Sequence, residues 1–219
     1  MAGFDRSAAV TRSLLGWGVV AGPFYLVFGT VLALASDGFE LSRDALSLLV
    51  LGDLGWLHAL NLVLSGLMTL AAAIGLWRSP GRPRAVAILV GLYAAGLLVL
   101  PLFPPDPTEH YPPGAGAGEA TTAGLLHLGI GALGFLAMAG AAVLAAPWLR
   151  RRRVPTAWSL VAALVIVVGF AGGAALSQAA VGVGLLWLAV LATWAWLAAI
   201  SVTAYRTVPH PDLDRRGEA

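Results

Sequence analysis

Six apolar runs, each long enough to cross a bilayer, leave this chain almost no other way to fold. They cover about 14–35, 54–77, 85–103, 122–148, 157–177 and 183–205. A spanning helix needs ~20 largely apolar residues, and a backbone in lipid must satisfy its hydrogen bonds within itself, as a helix does. The runs and their short connectors use up the 219 residues, so no soluble domain is left over. The expected fold is all-α: a polytopic membrane protein with a six-transmembrane-helix bundle. It divides into an N-terminal tail (1–13), a single transmembrane domain (14–205) and a C-terminal tail (206–219). The first run is too long for a signal-peptide core and is followed by no clear cleavage site, so it reads as a retained span.

The arginines orient this bundle. All 13 basic residues are Arg, and 12 of them flank the runs on one side: Arg6, Arg12, Arg78, Arg82, Arg84, Arg150 to Arg153, Arg206, Arg215 and Arg216. Only Arg43 falls on the other side, among Asp37, Glu40, Asp44, Asp53, Asp106, Glu109 and Glu119. The positive-inside rule then predicts an N-in/C-in protein, multi-pass in a bacterial cytoplasmic (plasma) membrane. It also explains the sequence pI near 9.5 without a nucleic-acid partner. Only 11% of residues are charged, against about 25% in soluble domains. The absence of cysteine removes disulfides, thiolate chemistry and Cys-ligated metals.

Two connectors on the acidic side are long enough to build something. Residues 36–53 mix polar groups with Leu41, Leu46, Leu48, Leu49, Val50 and Leu51, which suits a short helix lying in the interface or folding back over the bundle. Residues 104–121 are rich in Pro and Gly and predict an irregular cap. The last turn on that side, around Gln178 to Gly182, is too short to hold a site alone. GWLH at 55–58 and GLLH at 124–127 open two spans alike, a faint hint of a parallel internal repeat.

Polar side chains inside a membrane are costly unless paired, so they are the natural site candidates. His58, Asn61 and Ser65 are spaced i, i+3, i+7 and share one face of the second span. His127 sits at a comparable depth in the fourth. Each has a plainer account as well: interhelical hydrogen bonding for Asn61 and Ser65, interfacial anchoring for His58 beside Trp56. Asp53 reads equally as a helix N-cap and Asp106 as a turn former. Arg43 reads as a salt-bridge partner of Asp44 or Asp53, or as a group that binds an anionic headgroup. HExxH, Walker and GxSxG motifs are all missing.

The segment LSLLVLGDLGWLHALNLVLSG, residues 46–66, resembles DUF998, a bacterial family of six-span integral membrane proteins of unknown function. The matching positions are Ser47, Gly52, Asp53, Gly55, Trp56, Asn61 and Gly66, then Asp106-Pro107 and Tyr111 to Gly114 in the outer loop, and His127 opening the next span. Relatives often carry His-Pro where this chain has Asp44-Ala45, and glutamine at the position of His58. The resemblance implies the six-span fold and no particular activity.

Together these features predict an integral membrane protein that binds a lipid, a small ligand or a partner in a polar pocket on the extracytoplasmic side. The pocket would be roofed by Trp56 and the proline-rich loop and floored by Asn61 and His127, with Arg43, Ser47, Asp53 and Asp106 completing the binding set. One alternative is a membrane-embedded hydrolase or lipid-modifying enzyme using His127 with Asp53 or Asp106. Another is a small transporter, though no broken-helix pair is evident. No cofactor and no metal is expected, because a metal site usually needs three or more protein ligands. The partners are the lipid bilayer and that ligand, and the glycine-rich faces suit a monomer or a homo-oligomer.

Overall fold

The computed structural model describes residues 4–177 and 179–212. Arg215, Arg216, the second half of the expected C-terminal tail and Gln178 lie outside that range. Within it the protein is helical, with no strand among the described residues. The helices are α1 (Arg6–Ala35), α2 (Gly55–Arg78), α3 (Arg84–Val99), α4 (Thr122–Leu144), α5 (Ala146–Arg151), α6 (Ala157–Ala175) and α7 (Ala180–Tyr205). Six of the helical stretches are long and apolar enough to cross a membrane, α4 running on into α5 to form one of them.

The boundaries depart from the apolar runs where side chains set them. α1 starts at Arg6, because Asp5 caps it by accepting the Ala8 N–H at 3.0 Å. Most of the segment read as a tail is therefore helix. α3 tightens into a 3-10 turn over Leu100–Leu102, where Pro101 has no N–H to continue an α-helical ladder.

Each long helix packs against its neighbours in chain order, and α7 returns against α1 to close a ring. Small residues permit the close passages. A Cβ at Gly75 would lie 2.9 Å from the Leu15 backbone nitrogen, and one at Gly169 would lie 3.0 Å from that of Ala189. This is the small-residue packing expected where no hydrophobic effect drives helices together. Large apolar side chains such as Val27, Leu34, Leu133, Leu164 and Val181 face outward, as a lipid-facing surface requires.

The two ends of the ring differ. Both described termini lie at one end, where Arg12 donates to the Val208 carbonyl at 2.8 Å and stacks on Tyr205. There Arg78 donates to Thr11 and Ser7. Arg152 lies on the Trp148 ring and donates to the Pro80 carbonyl, tying two loops together. Arginines thus close this end through side-chain contacts. Inside, Trp196 donates to Ser159, which donates to the Ala142 carbonyl, linking α7, α6 and α4. The opposite end carries the two long connectors.

Candidate functional site

The connectors form a docked cap. Ser36 ends α1 by donating to the Leu32 carbonyl at 2.8 Å. Asp44 is buried and accepts the Glu40 N–H at 2.8 Å, bending the chain back toward the ring. The next residues form a 3-10 helix, Leu46–Leu51, with Leu46, Leu48 and Leu49 buried. The expectation of a segment folded back over the bundle therefore describes it, with a 3-10 turn as its regular element.

The second connector clamps the first through Tyr111. Its ring meets Phe39 edge-on at 5.0 Å and its hydroxyl lies against Gly52. Thr108 Oγ1 accepts the N–H groups of His110 and Tyr111, shaping the turn that presents the ring. Burial raises the Tyr111 pKa above its ordinary value of 10.0. The Asp53 and Asp44 carboxylates push the same way, and a hydrogen bond with Ser36 opposes them.

Beneath this cap the ring encloses a cavity of about 260 Å³ lined by all six long helices and by Ala45, Leu46 and Ser47 of the cap. The lining is mainly aliphatic and aromatic and contains no Asp, Glu or Arg. Tyr25, Tyr93, Phe135, Phe170 and Trp187 supply its aromatic surface. The space is only partly closed, and Leu128 of α4, which lines it, is 50% exposed. A second hollow of similar volume, bordered by Arg43, Thr108 and His110, meets the first at Ser177.

The structure brings only some of the candidate residues to this space. Ser47 and His127 line the cavity and Arg43 borders the adjoining hollow. Asn61 is fully buried beside the cavity wall, where its amide donates to the Tyr25 carbonyl at 3.1 Å and its oxygen accepts from Ser65 at 3.4 Å. Trp56, expected as a roof, is 67% exposed and does not line the cavity. Asp53 is exposed too, and the α2 N-cap position falls to Leu54. Asp106 accepts the Thr121 N–H and hydroxyl, while Thr121 caps α4 by accepting the Gly124 N–H at 3.0 Å. It therefore braces a helix start. Arg43 pairs with Glu40 at 3.6 Å, not with Asp44 or Asp53. The space beneath the cap is apolar where a polar pocket was expected.

His127 Nδ1 lies 2.8 Å from the Phe103 carbonyl oxygen. A carbonyl only accepts, so Nδ1 carries the proton and Nε2 is left as an acceptor. Among the described residues no group of three or more His, Asp or Glu side chains converges as a metal site would.

Two tyrosines at this space went unremarked in the sequence, and His58, read there as a polar face residue or an interfacial anchor, stands behind one of them. Tyr25 and Tyr93 flank Trp194, with ring centroids 5.2 and 5.8 Å from it. Behind Tyr25 stands His58, fully buried, with neither ring nitrogen bonded to a protein group. Nothing in the local sequence separates these tyrosines from ordinary core aromatics. Their rarity, four in the chain, is the one available signal.

The family described as "Protein of unknown function (DUF998)" matches residues 19–203, which take in both cap segments and nearly all of the helical ring. No curated protein and no solved structure matches the chain.

Proposed function

The chain belongs to the DUF998 family, and on that footing we propose that it is an N-in/C-in protein of a bacterial plasma membrane that binds a small lipid-phase molecule from the extracytoplasmic side. The cavity carries this reading. A partly closed apolar space bounded by every long helix, with a few polar groups at its edge, is the usual form of a small-molecule site. The incomplete closure, with Leu128 exposed at the wall, offers a route from surrounding lipid. The arginine-rich end supports the orientation, since the positive-inside rule favours the opposite, capped end facing outward.

Native mass spectrometry in mild detergent tests the reading, comparing wild type with Gly131→Phe. Gly131 lines the cavity and a Cβ there meets no atom within 4 Å, so the new ring fills the space with little backbone strain. A discrete adduct on wild type that the variant lacks is the expected result. Equal spectra from two equally folded proteins would sink it.

One observation favours a second reading, a hydrolase. His127 has Nε2 free as a base and shares the cavity with Ser47. Labelling by a fluorophosphonate that is lost in both Ser47→Ala and His127→Ala would support it. No labelling of wild type would remove it.

A further inference from the structure

We infer that the ligand of this cavity is a neutral ring compound bearing hydrogen-bond-accepting carbonyl groups, the headgroup chemistry of a lipid-soluble quinone. The inference rests on the ligand-binding reading above and names the class of molecule.

Charge comes first. Apart from the His127 imidazole, held to the Phe103 carbonyl, the lining offers no Asp, Glu or Arg to pair with an ionised group, and a charge buried unpaired in an apolar space is strongly disfavoured. That selects against a fatty acid or phospholipid headgroup inside the cavity. Size acts in the same direction. About 260 Å³ lies just below the ~300 Å³ at which ligand pockets usually begin, so the space suits a small ring system and not a lipid with two chains. A prenyl or alkyl tail would leave beside Leu128 into lipid.

The walls favour a ring over a chain. Phe135 of α4 and Phe170 of α6 stack at 4.9 Å and 27°, and Tyr93 adjoins Phe135 at 6.3 Å. Trp187 is fixed on another side, its indole N–H donating to the Leu41 carbonyl at 3.1 Å. Flat aromatic faces held in this way suit offset or edge-on packing with a planar ligand.

The polar groups then specify what the ring carries. Tyr25 and Tyr93 are 8% and 7% exposed and both line the cavity. Neither hydroxyl has a hydrogen-bond partner among the described residues, although both rings are braced by Trp194. Two phenols held at the cavity wall, with no hydroxyl hydrogen bond to the described residues, are placed to donate to acceptors on the ligand. A saturated chain filling the space would satisfy neither hydroxyl. A carbonyl oxygen accepts from either one.

The test titrates the purified protein in detergent by isothermal titration calorimetry. Three probes are used: menadione, methylnaphthalene as a hydrocarbon of the same shape, and palmitate as an anionic chain. Menadione's side reaction with thiols cannot occur, because the chain has no cysteine. Menadione should bind wild type at least roughly tenfold tighter than methylnaphthalene, about the ratio that one hydrogen bond supplies. The Tyr25→Phe/Tyr93→Phe variant should lose that preference while binding methylnaphthalene as before, with an unchanged melting curve. Equal binding of the two ring compounds by wild type, or a preference that survives the double variant, overturns the carbonyl assignment and leaves the cavity reading intact. Palmitate binding tighter than menadione overturns neutrality. Silence from all three probes defeats both readings together.

Discussion

The Asn61 side-chain amide donates to the Tyr25 backbone carbonyl at 3.1 Å, joining α2 to α1 directly beside the aromatic floor of the cavity. The same Asn61 accepts from Ser65, and Thr69 one turn further donates to the Ser65 carbonyl at 2.7 Å. Only the Asn61–Tyr25 bond crosses between the helices and ties their register, while the other two lie within α2. Interhelical hydrogen bonds in membranes average about 0.6 kcal/mol and reach about 1.7. Asn61→Leu should therefore lower stability by about 1 kcal/mol and weaken ligand binding through movement of Tyr25. A calorimetric melt and a binding titration on the same sample check both effects. Unchanged melting with unchanged binding would remove Asn61 from any positioning role.

The glycines of the GDLG turn have separate jobs that double variants can tell apart. A Cβ at position 52 would fall 1.9 Å from the Tyr111 hydroxyl, with the next nearest ring atom at 3.0 Å. One at position 55 would fall 2.1 Å from the Val50 carbonyl oxygen. The first clash ends at a single removable atom and the second at backbone. Overpacking of this kind costs typically ~1–3 kcal/mol. Gly52→Ala should be destabilising and largely rescued by Tyr111→Phe, whereas Gly55→Ala should gain nothing from the same second change. Additive energies in both pairs, measured by a double-mutant cycle, would refute the assigned contacts.

Tyr111 also makes the cap sensitive to alkali. Its pKa is raised above 10.0, chiefly by burial, so the docked state favours the neutral phenol. Its contribution is fully present below pH 10, the value of the undocked side chain, and is lost as pH rises through the higher folded value. Above pH 10, hydrogen exchange in residues 36–53 should accelerate in wild type. In Tyr111→Phe that alkaline step should be absent, with exchange at neutral pH nearly unchanged. An identical alkaline profile in the two proteins would assign the loosening to another group.

The spans were legible because their signal is local. Length and hydropathy locate a helix such as Gly55–Arg78 to within a residue or two, and the spacing of His58, Asn61 and Ser65 located a face that proves wholly buried. The cavity was not legible, since it exists only where six helices and a cap converge. Leu62, Gly96 and Val190 line it yet look like any residues of an apolar run. Asp53 and Trp56 misled for the opposite reason. They are chemically conspicuous, but the turn holding them is shaped by the close contacts of Gly52 and Gly55 and leaves both side chains exposed. His127 lines the cavity because a polar group near the end of an apolar span has few places to go except inward, whereas Ser47, in the connector, was singled out by the family resemblance alone.

His58 tests whether a buried polar group without a protein partner is tolerated or used. Its ring is 0% exposed, stands edge-on to Tyr25 at 6.3 Å, and neither nitrogen bonds to a protein group. An unsatisfied buried polar atom costs ~1–3 kcal/mol, and leucine fills a similar space without one. His58→Leu should therefore stabilise the protein by about 1 kcal/mol, a rise of a few degrees in melting midpoint for a chain of this length. His58→Gln keeps polar atoms in the same place and should show no such gain. If His58→Leu instead melts lower, or loses the ligand adduct while keeping its helical content, the imidazole is serving bound ligand through the floor of the cavity. Its position directly behind Tyr25 would then extend the site one layer deeper into α2.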